Sequence, residues 1–142
     1  MLCYNRLHKY KYRTKELEVF DVGIEGETAV SKKLGLTPDG MLIICQRYSW
    51  DGPSGPTIDT ATFMRASLVH DALYQLMREG ELEYKYRIVA DKLLREMCLE
   101  DGMWGFRAWY VYWAVRIFSI VHALPGIYEP DDTICVEKGK YV

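Results

Sequence analysis

The order of apolar and polar positions divides the chain into a strand-rich first part and a helical second part. Between Lys15 and Ile24, the apolar Leu17 and Val19 alternate with polar neighbours. This period-two pattern ends at Gly23-Ile24-Glu25-Gly26 and predicts a short strand with its turn. Thr37-Pro38-Asp39-Gly40 is a turn sequence in which proline presets φ and glycine supplies a positive φ. Met41 to Trp50 then reads as a strand that runs directly into a loop rich in glycine and proline. From Thr60 to Glu79 the period changes to steps of three and four, which puts Phe63, Ala66, His70, Leu73, Tyr74 and Met77 on one helical stripe. Asp59 or Thr60 can cap its start. A second helical stretch, Glu83 to Glu100, places Tyr84, Ile88, Asp91, Leu94 and Cys98 on one stripe and meets a stop at Asp101-Gly102. Only Gly80-Glu81-Leu82 lies between the two, so they form an antiparallel hairpin.

A third stretch, from Met103 to Leu124, is apolar and aromatic and ends before Pro125-Gly126. Arg107 and Arg116 fall on opposite sides of a helix at about 100° per residue, which argues against a lipid-facing span. The reading this favours is a helix packed on the hairpin, with Trp104, Trp109 and Trp113 in the core. The alternative is a helix lying at a membrane interface, a boundary that Trp and Tyr favour. The tail from Tyr128 to Val142 is irregular apart from a short strand pattern at Thr133 to Val136. With no repeat, low-complexity tract or linker, residues 1–142 read as a single α+β domain. Strands and loops occupy 1–58, helices 59–124 and an irregular tail 125–142.

Composition narrows the function classes. A net charge of -2 and a pI near 5.9 provide no electrostatic footprint for nucleic acid. Cys3, Cys45, Cys98 and Cys135 are widely scattered without a CxxC pair, which predicts reduced thiols and no zinc site. The first residues, MLCYNRLHKYKYRTKELE, are basic and polar, unlike a signal peptide. These features predict a cytoplasmic protein without a transmembrane helix.

The candidate chemistry lies on the hairpin. An antiparallel pair of helices brings together residues equidistant from the turn, which sets His70 opposite Asp91, each being the polar member of an otherwise apolar stripe. A carboxylate holding one ring nitrogen fixes the imidazole tautomer and leaves the other nitrogen free to accept a proton. His70 is therefore a candidate general base. Tyr74, one turn on, can donate its hydroxyl to Asp91. Asp71 is rotated by about 100° from His70, toward the loop Gly52 to Pro56. That loop cannot make regular ladder bonds, so it presents carbonyl oxygens of a kind that suits calcium. Two alternatives stand beside this reading. A buried His-Asp-Tyr network can serve only to fix helix register. A metal phosphohydrolase of the HD type needs further His and Asp ligands, and His8 and His122 lie in no ligand spacing.

His70-Asp71-Ala72-Leu73-Tyr74 followed by Ala90-Asp91 resembles the HDxxY helix and later aspartate of the phospholipase A2 family, in particular the compact disulfide-free type in the capsid proteins of parvoviruses. The resemblance runs from about Trp50 to Asp91. It implies that His70 activates a water for attack on the sn-2 ester of a phospholipid, with Asp91 orienting His70 and Tyr74 supporting Asp91. It further implies that Asp71 binds Ca²⁺ together with the loop carbonyls of Trp50, Gly52 and Ser54. The chain departs from the pattern at Ser54 and Thr57, where the family has glycine, at Pro53 and Pro56, which lack amide donors, and in lacking the cysteines that flank the histidine of secreted members.

DGPSGPTIDT with RASLVHDALYQLMR is also similar to an uncharacterised family of phage and prophage proteins about this long. That likeness implies a protein made in the host bacterial cytoplasm or carried in the virion. Its partner is then a phospholipid or membrane surface if it is an enzyme. If it is not, it is a phage structural or host-interaction protein that meets another phage or host protein.

Overall fold

The computed structural model describes residues 4–6, 12–50, 61–118 and 123–124. Within them, antiparallel strands form two small sheets and three helices follow, the α+β arrangement that the sequence patterns predict. The first sheet has the order β1 (Tyr4–Arg6), β2 (Tyr12–Thr14) and β7 (Ser49–Trp50). The second has the order β3 (Glu18–Asp21), β6 (Met41–Ile44), β5 (Leu34–Leu36) and β4 (Ala29–Val30). Strand alternation decides its faces. Phe20, Leu42, Leu36 and Ala29 lie in register across the second sheet and face the core, whereas Val19, Ile43, Gly35 and Val30 form the row on its other face. The Thr37 to Gly40 turn joins β5 to β6 as its sequence predicts, closed by Gly40 N–H to Thr37 O at 3.0 Å with Gly40 at φ 88°.

Met41 to Trp50 is two strands in two sheets, where the sequence predicts one. The chain crosses between them at Cys45–Tyr48, where Arg47 takes a left-handed φ of 70°. Buried Thr14 holds both sides of the crossing: its hydroxyl donates to Cys45 O at 3.0 Å and accepts from Tyr48 N–H at 2.9 Å. Buried Lys33 donates to Arg47 O at 2.6 Å. A non-glycine residue at positive φ has no sequence signature, so the break is invisible to a periodicity argument. The expectation of reduced thiols fails at Cys45, which is disulfide-bonded. Cys98 is free and buried.

The helices are α1 (Ala61–Arg78), α2 (Arg87–Glu100) and α3 (Gly105–Phe118), with a 3₁₀ turn at Tyr84–Tyr86. Both helix stops are left-handed glycine caps. Gly80 N–H reaches Met77 O and Glu81 N–H reaches Leu76 O, and the same pair recurs at Gly102 to Leu99 and Met103 to Cys98. The α1 stripe is buried throughout, His70 included. On α2 the stripe begins one residue away from expectation, with Arg87 buried and Ile88 exposed. The 3₁₀ turn advances about 120° per residue, so Tyr84 does not lie on the α-helical phase that sets Arg87, Ala90, Asp91, Leu94, Met97 and Cys98 inward.

Helix α1 packs on α2, and α2 on α3. The third helix does pack on the hairpin, through Ala108, Val111 and Val115. Its tryptophans, however, lie outside the core: Trp104 is 83%, Trp109 51% and Trp113 47% exposed. With Phe106, Tyr110 and Ile117, the latter two tryptophans occupy an arc of about 100° opposite the packed face. Both faces of α3 are apolar, so its composition could not reveal which one is buried. No helix among the described residues is long and apolar enough to cross a membrane. Gly52, Ser54 and the rest of residues 51–60, with the expected cap at Asp59 or Thr60, and His8, His122 and residues 125–142 lie outside the described residues.

Candidate active site

Antiparallel packing of α1 on α2 puts His70 opposite Asp91, as the hairpin register requires. His70 Nε2 lies 2.7 Å from Asp91 Oδ1, and the Tyr74 hydroxyl donates to the same oxygen at 2.6 Å. The His70 and Tyr74 rings lie against each other with centroids 4.1 Å apart. Asp91 has no exposed surface and His70 is 6% exposed. A carboxylate oxygen can only accept, so Nε2 carries the proton and the neutral imidazole offers Nδ1 as its acceptor nitrogen. Asp71 Oδ1 is 3.8 Å from Nδ1, at ion-pair range and beyond hydrogen-bond length. The Asp71 carboxylate thus flanks the free nitrogen of His70, with its side chain 36% exposed.

The second oxygen of Asp91 belongs to residues the sequence argument did not include. Arg116, from α3, donates Nη1 to Asp91 Oδ2 at 2.9 Å. Arg87 Nη1 is 3.8 Å from the same oxygen. Arg87 spends its hydrogen bonds on α3 instead, donating Nη2 to Arg116 O at 3.0 Å and Nη1 to Val115 O at 3.5 Å. Arg87 was legible as the i−4 partner of Asp91. Arg116 was visible as a charge in an apolar run, but its partner follows only from how α3 docks.

These contacts set the protonation states. Burial works to lower the His70 pKa, but the Asp71 and Asp91 carboxylates outweigh it and leave it raised. Burial likewise works to raise Asp91, and His70, Tyr74 and Arg116 outweigh it, holding its carboxyl below the ordinary carboxylate value. Burial, reinforced by the neighbouring Asp91, drives the Tyr74 hydroxyl well up, so it remains a phenol and a donor. Asp91 is therefore an ionised acceptor with both oxygens engaged.

Of the residues that resemblance assigns to Ca²⁺, Asp71 and Trp50 are described and Gly52 and Ser54 are not. Trp50 ends β7 and is buried, its indole N–H donating to Ser67 Oγ at 3.2 Å, one turn before His70 on α1. That bond ties the end of β7 to α1. Asp71 presents a half-exposed carboxylate, an oxygen donor of the type that hard cations take. Among the described residues, no group of three or more His, Cys, Asp or Glu is placed to hold a metal ion, so the fit rests on Asp71.

Residues 49–115 match the family described as "Protein of unknown function (DUF1353)". The matched span contains Trp50, His70, Asp71, Tyr74, Arg87 and Asp91 and ends one residue before Arg116. Searches of the curated proteins and of the solved structures return no significant match. The family description carries neither an activity nor a source.

Proposed function

We propose that this protein is a Ca²⁺-dependent hydrolase of phospholipid esters acting in a phage or prophage setting, with His70 as general base. One observation carries the reading: Asp91 holds Nε2 of His70 at 2.7 Å while Nδ1 is turned toward the half-exposed side of the helix, where Asp71 lies. In that orientation Nδ1 takes a proton from a water as its oxygen attacks the ester carbonyl carbon. Asp91 stabilises the imidazolium that forms, and Tyr74 holds Asp91 in place. The imidazolium then returns its proton to the departing alkoxide. Asp71, with the carbonyls of Trp50, Gly52 and Ser54, would hold Ca²⁺, which supplies positive charge for the oxyanion that develops on the carbonyl. The stripe of Trp109, Tyr110 and Trp113 is suited to a lipid surface, and no Asp or Glu interrupts the chain between Asp101 and Glu129.

The experiment is fatty-acid release from mixed phosphatidylcholine and phosphatidylglycerol vesicles, with Ca²⁺ and with a chelator, beside His70→Gln. Release that needs both Ca²⁺ and His70 is expected. A folded protein that releases nothing, or an equally active His70→Gln, overturns the reading.

The near-complete burial of His70 and the full pairing of Asp91 favour a second reading. Here the network is structural, in a non-enzymatic phage structural or host-interaction protein. Replacing His70, Asp91 and Arg116 together with apolar residues would then leave stability unchanged or higher.

A further inference from the structure

Two donors, His70 Nε2 and the Tyr74 hydroxyl, converge on Asp91 Oδ1, so the orientation of this buried carboxylate is decided at its other oxygen. Within α2 nothing fixes Oδ2: Arg87 approaches it only to 3.8 Å. The fixing group comes from α3, as Arg116 Nη1 at 2.9 Å. Arg87 in turn grips the main chain that carries Arg116, through the carbonyls of Val115 and Arg116 in the last turn of α3. The loop closes on itself: α2 holds the α3 backbone, and an α3 side chain holds the α2 carboxylate.

We propose that Arg116 is a positioning residue of the His70 centre, which by anchoring Asp91 Oδ2 keeps Oδ1 on His70 and Tyr74 and so holds His70 as the Nε2–H tautomer with Nδ1 open. The assignment goes beyond the hydrolase reading, because the tautomer is a property of the free protein. It also gives α3 a part in the site that the sequence motif does not contain. Arg116 is 24% exposed on its side chain, so its replacement can be solvated on one side and the fold retained. Without the anchor, the carboxylate can rotate, Tyr74 can keep one oxygen alone, and His70 loses the acceptor that selects its tautomer. The Nδ1–H form, which can donate toward Asp71, then becomes competitive.

The test is long-range ¹H–¹⁵N NMR of histidine-labelled full-length protein in chelator-treated buffer, at a pH where the imidazole is neutral, on wild type, Arg116→Gln, Arg116→Met and Arg116→Lys. Wild type is expected to show His70 as Nε2–H. In Arg116→Gln the ratio of Nδ1–H to Nε2–H should rise about tenfold, the effect of losing one charge-assisted hydrogen bond, with partial recovery in Arg116→Lys. Arg116→Met keeps the packed alkyl stem and is read the same way if the glutamine variant does not fold. A folded Gln or Met variant with the wild-type tautomer ratio overturns the proposal. Vesicle hydrolysis by the same proteins separates the two ideas. If wild type hydrolyses, kcat should fall about tenfold in Arg116→Gln with KM unmoved. If wild type does not hydrolyse, the NMR result still decides the role of Arg116.

Discussion

Replacing Asp91 with asparagine keeps the side-chain shape and one acceptor for His70 and Tyr74, but it removes the negative charge that faces Arg116 at 2.9 Å and Arg87 at 3.8 Å. Breaking a buried ion pair costs about 3–5 kcal/mol. Asparagine retains two hydrogen bonds and Arg116 can turn toward water, so the low end applies, about 3 kcal/mol at pH 5. That corresponds to a fall in Tm on the order of 10 °C.

The pH profile makes the test specific. Asp91 is depressed below its ordinary 3.8, so its stabilisation is present above that value and is lost as pH falls through the folded value. His70 is raised above 6.5, so its stabilisation is present below 6.5 and is lost as pH rises through the folded value. Part of that His70 contribution comes from Asp91. The gap between wild type and Asp91→Asn is therefore widest between roughly pH 4 and 6 and narrows on both sides. Urea unfolding at pH 3, 5 and 9, followed by tryptophan fluorescence, measures it. A gap under about 1 kcal/mol at pH 5, or one that is flat across the three values, refutes the assignment of Asp91 as an ionised, multiply paired carboxylate.

Tyr74→Phe removes only the hydroxyl that donates to Asp91 and should cost about 1.5–3 kcal/mol in chemical denaturation, the range for a hydrogen bond to a charged group. Gly40→Ala should destabilise more than Gly80→Ala, although both glycines have positive φ. A Cβ at Gly40 would meet the Gly23 backbone at 3.4 Å, whereas one at Gly80 meets nothing, so Gly80→Ala should cost only about 1–2 kcal/mol of backbone strain in thermal unfolding. Burial pushes the Cys98 thiol up to about 12, so alkylation by iodoacetamide at pH 8 should wait for unfolding, and rapid labelling of Cys98 in the native protein would contradict its packing.

The parts of the site that share one hairpin were legible in the sequence. Helical phase places His70, Tyr74 and Asp91 inward, and the short Gly80 connection sets their register, so local rules are enough to bring them together. What local rules omit is everything contributed by a third element. Arg116 is 25 residues from Asp91, and its role depends on which face of α3 meets α2. Since both faces are apolar, a periodicity argument could not choose between them, and it wrongly buried Trp104, Trp109 and Trp113. Strand β6 was found for the same reason that the hairpin was, by clear local signals at Thr37 to Gly40. Its separation from β7 was missed because the cause, Thr14 bridging Cys45 and Tyr48, lies more than 30 residues away in sequence.

The two functional readings differ in how they explain one asymmetry. A network kept only for helix register gains most when every buried polar atom is satisfied, because an unsatisfied one costs about as much as a lost hydrogen bond. Asp91 meets that standard fully. On His70 the two ring nitrogens differ: Nε2 is bonded at 2.7 Å, while the charged group beside Nδ1 among the described residues is the partly exposed Asp71 carboxylate at 3.8 Å. Among the described residues, three side chains fix Nε2, namely Asp91 with Tyr74 and Arg116 behind it, whereas Nδ1 faces only a carboxylate that cannot donate to it. A structural network gains nothing from that division, whereas a general base requires it, because the nitrogen that accepts the proton of the attacking water has to be free to accept. This asymmetry favours the hydrolytic reading over the structural one. It also explains why the tautomer of His70 is the quantity in which Arg116 should make itself felt.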